Sequence, residues 1–269
     1  MAQSKLSNSL PVAVITGAAS GLGLDLAQQL HSSYQLVLID IDMERLLAKT
    51  QNLVGVLHYS CDLADSTAIE QLTLTLNGQL LRVDLLINNA GITHRSLAMK
   101  TDHEVIRKVM AVDYLAPVQL TQGLLSLLTQ AKGKVINIGS MAGWMPVLGR
   151  AGYCAAKSAL HQYFETLRAE LQDEGVTVLM VYPSFLDTPI EQNALNGLGH
   201  KATHKRSMVG KMRTSDWMAS AIVTAIQQGR GRLFPDVFTN LSSILYRLFP
   251  SLYMRLMRRK LASELEVQQ

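Results

Sequence analysis

A tyrosine and a lysine four residues apart, Tyr153-Cys-Ala-Ala-Lys157, are the first residues of this chain able to do chemistry together. On a helix that spacing puts both side chains on one face. An ammonium beside a phenol favours tyrosinate, so Lys157 is expected to draw the Tyr153 pKa from about 10 toward neutrality. The pair could then take or give a proton at an alcohol or carbonyl carbon. Ser140 lies 13 residues upstream of Tyr153, just past an apolar run, at the sheet edge where open α/β folds place their ligands. With 8 Tyr and 11 Lys in the chain, one such pair arises about 0.3 times by chance, so spacing alone decides little.

A second cluster stands near the N-terminus. Thr16-Gly17-Ala18-Ala19-Ser20-Gly21-Leu22-Gly23 follows an apolar run and opens an amphipathic one. Glycines at 17, 21 and 23 would let the backbone turn tightly against a pyrophosphate, and the helix start would supply N–H donors with a positive dipole. The bland alternative is an ordinary strand-to-helix turn. Asp40 ends the second apolar run, 23 residues after Gly17. A carboxylate there can accept from both adenosine ribose hydroxyls and repels a 2′-phosphate, which favours NAD over NADP. The same side chain could instead cap the next helix.

These groups need a frame. Short apolar runs at Val12–Ile15, Gln35–Ile39, Val54–Tyr59, Val83–Ile87, Val135–Ile138 and Val176–Tyr182 alternate with helical patterns, notably 22–30, 102–129 and 152–173. Runs without polar alternation indicate a parallel sheet covered on both faces, hence one doubly wound α/β domain of the Rossmann type. Residues 190–214 are polar, Gly-containing and basic and read as a loop or short helices shaping specificity. Helix resumes near 216–228, and Arg232–Phe234 could be a last strand. We place the dinucleotide-binding and catalytic domain at 1–235 and a helical C-terminal extension at 236–269.

Composition narrows the classes. The 269 residues are 48% hydrophobic and 17% charged, against disorder and coiled coil. Two cysteines, Cys61 and Cys154, make neither a disulfide scaffold nor a metal site, so no metal is expected. No apolar run approaches the ~18 residues of a membrane span, and the first eleven residues lack a signal's apolar stretch, which points to a soluble cytoplasmic protein. The formal net charge of +4 is uneven: residues 1–200 hold 13 Lys+Arg and 17 Asp+Glu, whereas 201–269 hold 12 and 4. No recognition motif accompanies the basic segment, so nucleic acid is not an expected partner.

In combination, these motifs resemble the short-chain dehydrogenase/reductases from about Val12 to Thr188. TGAASGLG is similar to the family's TGxxxGxG turn, so Gly17, Ser20, Gly21, Leu22 and Gly23 would contact cofactor. Asp62 matches the adenine-contacting Asp, Asn88-Asn89-Ala90-Gly91 the NNAG motif, and Pro183 and Thr188 the segment that contacts the nicotinamide carboxamide. The resemblance implies reversible alcohol oxidation in which Ser140 holds the substrate oxygen, Tyr153 is the acid/base, and Lys157 lowers its pKa and binds the nicotinamide ribose. Three positions depart. Asp113 stands where the family's VNxxG segment has Asn, and an ionised Asp can accept but not donate, while its charge would hold Lys157 protonated. Gly139 replaces a Ser before the catalytic one, and Ser184 replaces a Gly after Pro183.

Met141-Ala-Gly-Trp144-Met145-Pro-Val147-Leu148 would border the substrate cleft by the same resemblance, and its apolar character suits a hydrophobic alcohol or ketone; packing under the loop is the alternative. From Asn240, Leu241, Ile244, Leu245, Leu248, Leu252, Leu256 and Met257 form a helical stripe among Arg247, Arg255, Arg258, Arg259 and Lys260, with Pro250 dividing two helices. That stripe could cover the domain's own cleft, pair subunits of a homo-oligomer, or make peripheral membrane contact through residues 240–269. The reading is an NAD(H) oxidoreductase of a hydrophobic secondary alcohol or ketone. Its alternative is a catalytically weak NAD(H)-binding sensor or membrane-associated binding protein on a dehydrogenase fold.

Overall fold

The computed structural model describes residues 10–203, 212–262 and Glu264. Seven strands form one parallel sheet in the order β3-β2-β1-β4-β5-β6-β9. They are β1 Val12–Thr16, β2 Gln35–Asp40, β3 Leu57–Ser60, β4 Leu85–Asn88, β5 Lys134–Ile138, β6 Thr177–Val181 and β9 Arg232–Leu233. The two-residue strands β7 Leu186–Asp187 and β8 Arg213–Thr214 pair separately. The helices are α1 Gly21–Leu30, α2 Met43–Thr50, α3 Ser66–Gln79, α4 His103–Met110, α5 Ala116–Gly123, α6 Leu125–Ala131, α7 Ala151–Glu170, α8 Pro189–Gln192, α9 Ser215–Gln227, α10 Val237–Leu248 and α11 Pro250–Lys260. The doubly wound α/β expectation therefore holds.

Alternation along each strand makes the two cores. Val12 and Val14 of β1, with Val37 and Ile39 of β2, join Leu72, Leu120 and Phe164 on one face of the sheet. Ala13 and Ile15, with Leu36 and Leu38, join Leu26, Leu46 and Ile222 on the other. Strand order reverses between β1, which continues to β2, and β4, which continues to β5. That switch point leaves a crevice above the carboxyl ends of β1 and β4.

Several boundaries differ from the sequence pattern. Val54 is exposed and Gly55 turns at φ +73°, so β3 starts only at Leu57. The long helical pattern over 102–129 is broken three ways. A π-turn spans Ala111–Leu115, Pro117 sits in the first turn of α5, and Leu124 separates α5 from α6. The apolar periodicity crosses these breaks because α4 to α6 bury one side throughout. Part of the 190–214 segment, residues 204–211, lies outside the described residues. Arg232–Leu233 does complete the sheet beside β6, and Pro250 does divide two helices.

Candidate active site

One cavity of about 820 Å³ opens over the crevice. Its first end is built from backbone. Gly17 and Gly21 adopt φ +67° and +51°, and a Cβ on Gly17 would sit 2.9 Å from the Ala90 Cα. The Thr16 hydroxyl accepts from the amides of Asn89 (3.0 Å) and Ala90 (3.1 Å), while Asn89 Nδ2 donates to the carbonyls of Thr16 (2.9 Å) and Gly17 (3.2 Å). Two sequence motifs more than 70 residues apart are thus one bonded unit. Ser20 makes no side-chain capping bond at the start of α1, leaving first-turn amides of the helix for an anion. Gly17, Ser20, Gly21 and Leu22 line the cavity, as do Asn89, Ala90 and Gly91. Gly23 is not part of the lining. A Cβ there would meet the Gly17 carbonyl oxygen at 2.2 Å, so this glycine lets α1 close against the turn.

Asp40, at the end of β2, also faces the cavity. Its Oδ2 accepts from the Ala19 amide at 2.9 Å and its Oδ1 from the Asp42 amide at 3.1 Å, tying the second strand to the glycine turn. The cap of α2 is Asp42, not Asp40. Arg45, which sequence spacing did not single out, lines the same end from α2. Asp62 is held in a tight turn by accepting from Ala64 N (2.9 Å) and faces this end too.

The second end is built from side chains. Ser140 follows β5, and its Oγ accepts from the Ala142 amide at 3.1 Å. A Cβ on Gly139 would come within 2.9 Å of the Val181 carbonyl, so the residue before Ser140 has no room for a side chain against β6. Tyr153 lies in the first turn of α7 and lines the cavity with Ser140, Pro183 and Thr188. Lys157, one turn on, stands behind it rather than on the lining: Nζ donates to the Ile138 carbonyl (3.0 Å) and lies 3.2 Å from Asp113 Oδ2 and 5.7 Å from the Tyr153 ring centroid. Asp113 is fully buried in the π-turn, where its Oδ1 accepts from Ile92 N at 2.8 Å. Gly91 is the thin wall over this ion pair. A Cβ on it would be 3.5 Å from Asp113 Oδ2 and 3.6 Å from Lys157 Nζ.

Electrostatics here revise one expectation. Burial raises the Tyr153 pKa above 10; the Lys157 charge lowers it, Asp113 raises it further, and the hydrogen bond with Ser140 and the charge of Arg150 pull it down without cancelling the rise. Lys157 therefore acts in the anticipated direction, but the phenol is not brought toward neutrality. Burial alone would lower the Lys157 pKa, yet Asp113 and Tyr153 outweigh it and hold the ammonium protonated. Asp113 is itself raised, by burial, against the opposing pull of Lys157 and the Ile92 amide.

Sequence reasoning missed the support beneath Tyr153. His94 is fully buried, and its Nε2 accepts from the Gly152 amide at 3.0 Å. Its Nδ1 lies 3.0 Å from Ser96 Oγ, which lies 2.7 Å from Thr101 Oγ1; Thr101 in turn donates to the Leu97 carbonyl at 2.8 Å. Only one proton arrangement satisfies the chain: Thr101 donates to Leu97, Ser96 to Thr101, and His94 Nδ1–H to Ser96. A neutral imidazole thus caps the start of α7, whose N-cap residue Arg150 makes no capping bond of its own. Burial and the Arg150 charge push the His94 pKa down to about 4. Arg150 makes a two-point ion pair with Glu191 of α8, at 3.1 and 2.8 Å, in the cavity wall. His94 and Gly152 are 58 residues apart and carry no motif.

The far wall is largely apolar, although Lys260 and Glu264 also line the cavity. Met141, Ala142, Met145, Val147 and Leu148 line it, as the resemblance implied for this loop. Facing them are Phe238, Ser242 and Leu245 of α10 and Leu256 and Met257 of α11. Tyr253 OH donates to the Pro146 carbonyl (3.0 Å), and the Arg247 guanidinium lies 4.2 Å from the Trp144 ring centroid. One face of the C-terminal helix pair therefore covers the domain's own cleft.

The fold and this site define a dinucleotide-binding α/β protein with Ser140, Tyr153 and Lys157 gathered at one end of its cavity. The pattern described as short chain dehydrogenase matches residues 11–198, and the chain belongs to that oxidoreductase family, whose members work with a nicotinamide dinucleotide. Dehydrogenase/reductase SDR family member 7B of Xenopus laevis is 33% identical over 261 residues, 91% of this chain and 80% of that protein. A short-chain dehydrogenase from Sphingobium yanoikuyae in complex with NADPH is 26% identical, with a TM-score of 0.75 over 85% of this chain and 89% of the other. One from Burkholderia phymatum in complex with NAD shares the fold at TM-score 0.79 and 22% identity, covering 92% and 96%.

Proposed function

We propose that this chain interconverts hydrophobic secondary alcohols and ketones with NAD(H). The observation that carries the reading is one cavity with a glycine cradle at one end and Ser140 beside Tyr153 at the other, Lys157 locked behind. A bound nicotinamide would supply hydride acceptance and donation. Ser140 Oγ would hold the substrate oxygen, and Tyr153 would exchange a proton with it. Lys157 would keep a positive charge behind the phenol, anchored by the Ile138 carbonyl and Asp113. The apolar wall from Met141 to Leu148 and from α10–α11 favours a substrate without charged groups.

NAD is favoured over NADP because the Asp40 carboxylate, fixed by the Ala19 amide, would oppose a 2′-phosphate. Arg45, which lines the same cavity, is a cation among the described residues that could reverse this preference. A weak, cofactor-sensing protein is the second reading, and the buried Asp113 charge that raises Tyr153 is what favours it. Both are tested by following apolar alcohols and ketones at 340 nm with each cofactor, using Tyr153→Phe as the control. Turnover with NAD that the Phe variant loses is the expected result. Equal rates in both proteins overturn the catalytic assignment, and cofactor binding without turnover on any substrate supports the sensor.

A further inference from the structure

We propose that the outer face of the C-terminal helix pair docks on an anionic lipid surface and that the substrate cavity opens at this face. Helices α10 and α11 are apolar on two sides. Leu245, Tyr253 and Met257 turn inward to the cavity wall. Val237, Leu241, Ile244 and Leu248 run along the outside of α10 at spacings of four, three and four residues, and Phe249, Leu252 and Leu256 extend the surface onto α11. These outer side chains are between 43% and 74% exposed. A contiguous exposed apolar surface of this kind marks a binding face.

Charge selects the occupant. From Val237 to Ala262 there are five cations and no Asp or Glu: Arg247 turns in over Trp144 and Lys260 lines the cavity, which leaves Arg255, Arg258 and Arg259 beside the outer face. A second copy meeting this face across a twofold axis would bring these cations together without a single carboxylate from either helix pair. A layer of anionic headgroups over acyl chains satisfies both features, with arginine stems lying along the apolar surface and their heads at the phosphates. At 12 and 11 residues the two helices are too short to span a bilayer, and no described helix is long and apolar enough to cross one. They would lie in the interface plane.

The cavity explains why docking would matter. Phe238 and Leu256 belong to its lining and are also 53% and 43% exposed, so the cavity wall and the apolar face share residues. A lipophilic substrate could then pass from the bilayer to Tyr153 without crossing water. This second part rests on the oxidoreductase reading; the docking does not.

The test is co-sedimentation of the full chain with vesicles of phosphatidylcholine alone or with phosphatidylglycerol, at low and high salt. Binding to the anionic vesicles that weakens with salt is expected. Arg255→Ala/Arg259→Ala should bind about 30-fold more weakly, roughly fivefold per arginine. Leu241→Ser/Leu248→Ser should also release the protein, and both variants should keep turnover on a water-soluble alcohol. Absence of binding at low salt, or binding unchanged in both variants, overturns the docking. So does a dimer in sedimentation velocity that the leucine variant dissociates while vesicles bind neither protein. If docking holds but vesicle-dissolved substrate gains no rate over the same substrate in detergent, the proposed access route fails alone.

Discussion

The two ends of the cavity are made of different material. The end proposed to hold the dinucleotide is a fold of backbone around Gly17, Gly21 and Gly23, braced by Thr16 and Asn89, and its constraints are steric. The reacting end is a convergence of side chains from β5, α7 and the π-turn, and its properties are electrostatic: Asp113 and Lys157 are buried as an ion pair behind Tyr153. Damage to the first end should therefore appear in binding and stability, and damage to the second in rate and pH profile.

The largest effect is expected from Tyr153→Phe, which deletes one hydroxyl and leaves the packing. A lost general acid/base lowers kcat by about 10³-fold, while the affinity for NAD(H), read by fluorescence titration, should change little. A matching loss of affinity would mean that the two ends are not separable. On the other side, Gly23→Ala places a Cβ 2.2 Å from the Gly17 carbonyl oxygen, so turn and helix must part. An overpacked site of this kind costs about 1–3 kcal/mol, visible as a lower Tm together with weaker cofactor binding. Gly78→Ala in α3 is the control: a Cβ there meets nothing within 4 Å, and helix propensity predicts a gain of about 0.5–1 kcal/mol. Equal behaviour of the two variants would remove the steric argument.

His94→Phe probes the support of the reacting end. It leaves the Gly152 amide without its acceptor, a buried loss of about 1–3 kcal/mol, and loosens the turn that carries Tyr153. We expect kcat down about tenfold, faster amide exchange at the start of α7, and cofactor affinity retained. Gln, whose carbonyl can replace Nε2, should restore most of the rate. The wild-type protein also gains an acid sensitivity here. With its pKa at about 4 against 6.5 unfolded, His94 binds its proton less readily in the folded state. Stability is full above about pH 6.5 and falls as pH drops through 4, by roughly 3 kcal/mol in all. The Phe variant should show a flatter acid limb in Tm against pH, and an unchanged limb would sink the assignment of His94 as the titrating group.

This contrast also explains what the sequence made legible. Backbone-built sites require particular residues at short spacing, so the glycine turn and Asp40 stand out in the letters, and the strands β1, β2, β5 and β6 follow from unbroken apolar runs. Tyr153 and Lys157 are visible for the same reason, being one helical turn apart. The π-turn that holds Asp113 spans only Ala111–Leu115, too short a segment for its own period to show within the apolar pattern over 102–129. His94 and the Arg150–Glu191 pair act through contacts made only when distant segments fold together, and single side chains without a spacing rule, Arg45 among them, carry no signal. The sign of the Tyr153 shift is hidden for a related cause: the sequence displays the nearby lysine but not how deeply the phenol is buried.

The smallest and sharpest test concerns Asp113. Replacing it with Asn keeps an acceptor for the Ile92 amide and removes only the charge. The carboxylate is one of the groups that raise Tyr153 and the chief one that raises Lys157. Without it, tyrosinate forms at lower pH, so the alkaline rise of alcohol oxidation should move toward neutrality. Lys157 also gives up its proton more readily, but the Ile138 carbonyl still holds the ammonium in place. The plateau rate should stay within about threefold of wild type, since no group touching substrate is lost. A displaced profile at constant plateau would establish Asp113 as a setting on the reacting end rather than a defect in it. An unmoved profile and an equal rate would show that the buried charge is silent, and would leave the difference between the two ends to geometry alone.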